Sequence, residues 1–158
     1  MQVSFKQPSL FDDIFPESPE PKVNVPGLTY VKDFITEAEQ DAIVAEIDKN
    51  KWSTEIARRV QHFGYRYSYK ARRLDHAVYL GELPMWMRNV AVRLHEAGYF
   101  ESVPDQGLAN EYLPGQGIAP HVDCEPCFGN TVVSLSLLSP CVMYFDKLEC
   151  DDHASLLL

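Results

Sequence analysis

After Asp105 the chain breaks into short β-type runs separated by turn residues: Leu108 to Leu113, Ile118 to Val122, Thr131 to Leu138, Val142 to Phe145 and a terminal Ser155-Leu-Leu-Leu. Within Thr131 to Leu138, Val133, Leu135 and Leu137 alternate with Ser134 and Ser136, the pattern of a half-buried strand. Upstream the period changes. Thr36-Glu-Ala-Glu39 has the form of a capping box ahead of Ala42, Ile43, Val44 and Ile47, so a helix is expected to about Lys49. Pro84 opens a second helix, in which Trp86, Val90 and Leu94 recur at i, i+4 and i+8 and Gly98 supplies the left-handed cap. His95, on the flank of that helix, reads as a surface or boundary residue. Helices first and strands after give an α+β chain whose second part is a sandwich or barrel. A length of 158 residues suits one domain.

Residues 1–22 hold four prolines and no sustained period, so they read as a flexible tail, with the domain spanning residues 23–158. Within that tail, Gln7-Pro8-Ser9-Leu10-Phe11 resembles the Gln-x-x-Leu-Phe peptides by which bacterial repair proteins dock on the sliding clamp. The alternative is a leader whose Leu10 and Phe11 pack on the domain. Val23 to Phe34 suggests an opening strand ending at Asp33. No apolar run approaches the length needed to cross a bilayer, and the N-terminus lacks the order of a secretory signal, so a cytoplasmic monomer is expected. Cys124, Cys127, Cys141 and Cys150 are then expected as reduced thiols. Cys124-x-x-Cys127 could be half a zinc site, but Cys141 and Cys150 are not spaced as a second knuckle.

The formal net charge of −9 argues alone against a nucleic-acid partner, yet the charge is unevenly spread. Lys51, Arg58, Arg59, Arg66, Lys70, Arg72 and Arg73 fall between residues 51 and 73, seven of the fourteen basic residues, with Glu55 the one acid among them. Ile56 to Tyr69 suggests a strand or hairpin with a turn near Gly64. Phe63, Tyr65, Tyr67 and Tyr69 interleave with those arginines and could stack bases, or could belong to a half-buried strand with solvated arginines.

Asn110 to Asp123 concentrates the most chemistry. In strands, side chains two apart share a face, so Asn110 would stand beside Tyr112 and His121 beside Asp123. An imidazole and a carboxylate are two of the three ligands of a 2-His-1-carboxylate site, the arrangement that suits non-haem Fe(II). Asn110-x-Tyr112, then Pro114-Gly115-x-x-Ile118, His121-x-Asp123, Phe128-Gly129 and Val133-Ser-Leu-Ser-Leu together resemble the AlkB-like family of Fe(II)/2-oxoglutarate-dependent dioxygenases over roughly residues 56 to 158. Arg58 to Tyr69 and Gly115-Gln-Gly-Ile are most similar to the branch with tRNA wobble-uridine hydroxylases, on a plan shared by DNA- and RNA-repair members.

The resemblance implies a double-stranded β-helix, or jelly roll, with N-terminal helices packed on one sheet and the last strands missing. It implies Fe(II) on His121 and Asp123, 2-oxoglutarate held by Asn110 and Tyr112, O2 as second co-substrate, and a nucleotide-recognition segment including Arg58, Arg59, Gln61, Tyr65 and Tyr67. The implied reaction is demethylation or hydroxylation of a modified nucleobase in a single strand or flipped from a duplex, with 2-oxoglutarate leaving as succinate and CO2. The family's distal histidine and two arginines come after the dyad, whereas here only His153 follows Asp123, in Asp151-Asp152-His153-Ala154, which has turn chemistry. Leu138 stands where family members often have Gly. These residues are therefore expected to be the front part of a longer protein, with Leu156, Leu157 and Leu158 exposed as an aggregation site. The alternative is a catalytically silent nucleic-acid-binding or clamp-associated module.

Overall fold

The computed structural model describes residues 2–6, 25–68, 73–123, 128–148 and 151–158. Gln7–Phe11, Tyr69, Lys70, Arg72, Cys124, Cys127 and Cys150 lie outside these, as do the side chains of Tyr67 and Arg73. In chain order the elements are β1 (Gln2–Lys6), α1 (Glu37–Asp48), β2 (Arg59–Phe63), β3 (Tyr65–Ser68), β4 (Arg73–Tyr79), α2 (Met85–Glu96), β5 (Gly107–Glu111), β6 (Gly117–His121), β7 (Val142–Asp146) and β8 (His153–Leu157). Two compact units result: Met1–Thr36, Tyr112–Val122 and Leu135–Leu158 form the first, and Glu37–Glu111 with Asp123–Ser134 the second. No helix among the described residues is long and apolar enough to cross a membrane.

The first unit is a four-stranded antiparallel sheet in the order β6-β1-β7-β8. Val25, Met143, Phe145 and Leu156 form its buried core, with Leu28, Ala154 and Leu158 packed against it. Cross-strand partners share a face, so the pairs Met143–Leu156 and Phe145–Ala154 put these apolar side chains on one side. Leu156 is 2% exposed and Leu158 exchanges backbone bonds with Cys141, which corrects the expectation of an exposed leucine end. Gln2–Lys6, expected within a tail, is instead a central strand paired on both edges. The tail's prolines all come later, at Pro8, Pro16, Pro19 and Pro21, and Gln2-Val3-Ser4-Phe5-Lys6 alternates polar with apolar as a strand does. The described part of the expected opening strand is instead a turn at Pro26-Gly27, closed by the Leu28 N–H to the Val25 carbonyl at 3.0 Å.

The second unit sets α1 and α2 beside two ladders, β2–β5 and β3–β4. α2 starts after Pro84, extended at φ −60° and ψ 151°, and ends in a Schellman arrangement. There Tyr99 N–H donates to the Leu94 carbonyl at 3.0 Å and Gly98 N–H to that of His95 at 2.9 Å. Trp86 meets Phe63 edge to face at 5.4 Å, seating the helix on β2, and Met87 packs tightly on Gly107 of β5. Just past the end of α1 the buried Gln61 amide donates to the carbonyls of Ile47 (2.9 Å), which also accepts from Asn50 N–H, and of Asn50 (3.4 Å). Gly64 is not a hairpin turn: β2 pairs with β5 and β3 with β4, so the chain changes ladders there. Gly64 takes φ +76°, and an added Cβ would collide with the Asp105 carbonyl oxygen, so glycine alone fits.

An α+β chain with antiparallel sheets is therefore present, while the ladders among the described residues do not close into a jelly roll. Thr131–Leu138 forms no ladder there either: Leu135 and Leu137 are half-buried beside exposed Ser134 and Ser136, while Val133, expected on the same face as the leucines, is exposed. Alternation defines a face, but a strand also needs a partner edge for its backbone. Leu138 takes φ 67° with its side chain 67% exposed, holding the left-handed conformation without glycine.

Two substitutions test this backbone. Gly64→Ala should cost about 3 kcal/mol or more, because collision adds to the left-handed penalty. Leu138→Gly should gain about 1 kcal/mol by relieving that penalty where little packing is lost. Urea denaturation of each variant measures both.

Candidate active site

Between β5 and β6, Leu113-Pro114-Gly115-Gln116 closes as a type II turn, with Gln116 N–H to the Leu113 carbonyl at 2.8 Å and Gly115 at φ +82°. The Gln116 side chain returns the bond, accepting from Leu113 N–H at 2.9 Å. This turn leads into β6, whose last residue is His121. His121 pairs with Val3, and Val3 with Phe145, so the histidine falls on the core side of the sheet at its edge.

The His121 ring is half-buried, and its Nδ1 lies 3.0 Å from the Ala119 carbonyl oxygen. A carbonyl can only accept, so Nδ1 carries a proton, the arrangement of a histidine that ligates through Nε2. β6 stops at His121, so Asp123 lies past the ladder, exposed, and the period-two argument does not reach it. Tyr112 likewise lies one residue past β5, half-buried. Tyr112 and His121 belong to the first unit, Asn110 and Asp123 to the second.

His153 is on β8 rather than in a turn, opposite Asp146, with Nδ1 and Oδ1 2.9 Å apart. Strands β1 and β7 separate it from β6, a span of roughly 14 Å at ordinary strand spacing, too far to share a metal with His121. Among the described residues no group of three or more His, Cys, Asp or Glu side chains could hold a metal. His121 and Asp123 carry donor types that suit Fe(II), and the described residues show no metal-holding group of three that includes either.

In the second unit the basic stretch is drawn into ion pairs and bonds. Arg58 Nε donates to Asn110 Oδ1 at 2.8 Å. Arg59 grips Glu111 through two nitrogens, with its guanidinium carbon 5.0 Å from the centre of the Trp52 ring. That bond to Glu111 holds the Arg59 pKa above its usual value. Arg66 pairs with Glu55. Gln61, expected at the substrate, is 4% exposed and holds the end of α1, with its Oε1 buried and unbonded among the described residues. The Tyr65 ring lies 5.1 Å from Tyr79, and both line a cleft of about 350 Å³ with Arg88 and Pro104. Tyr67 is in β3, opposite Leu74. Glu111 and Tyr79 escaped the sequence reading because only ladder pairing brings them to Arg59 and Tyr65, and Trp52 because an isolated bridge between Ser53 and Val60 brings it to Arg59.

The family model described as the 2OG-Fe(II) oxygenase superfamily matches residues 27–156. The chain is 37% identical over 131 residues to an Arabidopsis thaliana protein named "Alkylated DNA repair protein ALKBH8 homolog", covering 80% of this chain and 38% of that protein. It is 33% identical over 135 residues to the mouse "tRNA (carboxymethyluridine(34)-5-O)-methyltransferase ALKBH8", covering 78% of this chain and 20% of the relative. A zebrafish "Probable RNA/DNA demethylase ALKBH6" is 30% identical over 129 residues, 79% of this chain and 52% of that protein. No solved structure gives a significant match.

His62, beside Gln61, is held below the ordinary histidine pKa by burial and then by Arg66, with Glu55 pulling the other way. The unfolded chain therefore binds more protons between the folded and unfolded pKa values, so stability is lost as the pH falls through about 6.5. Denaturation midpoints at about pH 7 and about pH 5.5 should differ in that direction, and His62→Gln should flatten the difference.

Proposed function

This chain belongs to the AlkB-like members of the 2OG-Fe(II) oxygenase superfamily, and from that premise we propose that it serves the Fe(II)- and 2-oxoglutarate-dependent oxidation of a modified nucleobase in nucleic acid. The observation that carries the reading is the His121 ring at the end of β6, whose Nδ1 bonds to the Ala119 carbonyl and whose Nε2 would be the ligating nitrogen. Asp123 would supply the carboxylate ligand, while Asn110 and Tyr112 would hold the co-substrate. Bound iron with 2-oxoglutarate and O2 would supply oxidation of a C–H bond, with the co-substrate leaving as succinate and CO2.

The fate of the oxidised carbon follows from its neighbour. A hydroxymethyl group on nitrogen collapses to formaldehyde and the bare base, whereas an alcohol on a carbon-linked side chain remains. Tyr65 and Tyr79 offer ring faces to such a base. Action in the cytoplasm as a monomer, and docking on a sliding clamp through Gln7–Phe11, belong to the same proposal.

The test is succinate release by the full-length gene product with Fe(II), 2-oxoglutarate and oligonucleotides carrying either N-methyl bases or 5-substituted uridine, with products read by mass. Succinate should form together with demethylated base or with a gain of one oxygen, and His121→Ala should abolish both. Absence of succinate together with salt-dependent strand binding would instead establish the catalytically silent binding module.

A further inference from the structure

We propose that Arg58 is a positioning residue for the 2-oxoglutarate site, orienting the Asn110 side chain, and is not a phosphate contact; the inference rests on the reading of Asn110 given above. A guanidinium has donors only, so the Asn110 atom facing Arg58 Nε at 2.8 Å must be the amide oxygen. Turning the amide over would set its NH2 against another donor. Arg58 therefore selects one orientation, in which the NH2 faces away from the arginine and can donate to a carboxylate or keto oxygen. Asn110 is exposed, so that donor is accessible to a ligand.

The backbone beneath is fixed independently. Val60, fully buried, is the register partner of Asn110, and Arg59 is that of Glu111, which it holds with a two-pronged bond while stacked near Trp52. Arg58, just before β2, and Arg59, its first residue, thus act on consecutive residues at the end of β5. Arg59 fixes the strand end, and Arg58 chooses which way the amide of the residue before Glu111 points. Both cations bond to residues of β5.

The chemistry of the donor suggests the variants. Nε of arginine and Nε2 of glutamine stand the same number of bonds from the backbone, so Arg58→Gln keeps the donor and removes the charge, whereas Arg58→Met removes both. Binding of 2-oxoglutarate to the full-length protein, with Mn(II) in place of Fe(II), is measured by calorimetry. Salt-dependent oligonucleotide binding and thermal melting are measured alongside. Arg58→Met should weaken 2-oxoglutarate binding by about tenfold, the worth of one well-placed hydrogen bond, and Arg58→Gln by much less. In turnover, Arg58→Met should raise KM for 2-oxoglutarate and spare kcat. Oligonucleotide affinity and its salt slope should stay at wild-type values in both.

Asn110→Asp gives a second route if Arg58→Met fails to fold. It keeps an acceptor for Arg58 and removes the NH2, so 2-oxoglutarate binding should be lost with melting unchanged or raised. The inference is overturned if Arg58→Met or Asn110→Asp leaves 2-oxoglutarate affinity intact. It is equally overturned if Arg58→Gln and Arg58→Met both lose oligonucleotide affinity with a salt slope smaller by about one. Wild-type protein that binds no 2-oxoglutarate overturns the functional reading itself, a different result from wild-type binding that Arg58 does not influence.

Discussion

The antiparallel pairing of β2 with β5 supports most of what the second unit presents. Val60 is buried completely at its centre, Gln61 reaches from it to the open end of α1, and Phe63 receives Trp86 of α2. At one end Arg58 and Arg59 bind Asn110 and Glu111 across the ladder. At the other, Gly64 lets the chain pass close to the Asp105 carbonyl before β3 begins. The cross-ladder bonds of Arg58 and Arg59 join residues 52 positions apart, so a slip of one residue along the ladder would break them together.

The first unit depends in the same way on a segment far from the residue it serves. His121 ends an edge strand whose partner is β1, and β1 also pairs with β7, which carries Met143 and Phe145. The N-terminal strand is therefore what places the histidine in line with the apolar face. Without β1, β6 has no neighbour in this sheet and the ring no defined side. The Ala119 carbonyl then selects the tautomer, a local effect acting on a position set by long-range pairing.

The charge of the basic stretch takes on a different meaning once its partners are known. Arg59 and Arg66 lie in ion pairs with Glu111 and Glu55, and Arg58 lies on a neutral amide. Surface pairs such as Arg66–Glu55 contribute little to stability and can open toward a phosphate. The Arg59 grip is bidentate and backed by an indole ring, a combination that favours holding a strand over meeting a mobile ligand. A density of cations along a sequence does not by itself define a cationic surface.

Local signals were readable from the residues alone: the α2 boundaries at Pro84 and Gly98, the Pro114-Gly115 turn and the positions of β5 through β7. Each rests on steric or periodic preferences acting within a few residues. Gln2–Lys6 was missed although its alternation was visible, because prolines further along weighed against it. Thr131–Leu138 was expected as a strand because its pattern defines a face and says nothing of a partner. Only the tertiary structure decided that Leu156 is buried, that Gln61 serves a helix end, that two strands stand between His153 and β6, and that Arg58 turns toward Asn110. Those outcomes depend on which distant segment supplies the other half of a hydrogen bond or a packed face, and a sequence carries that information only through the fold.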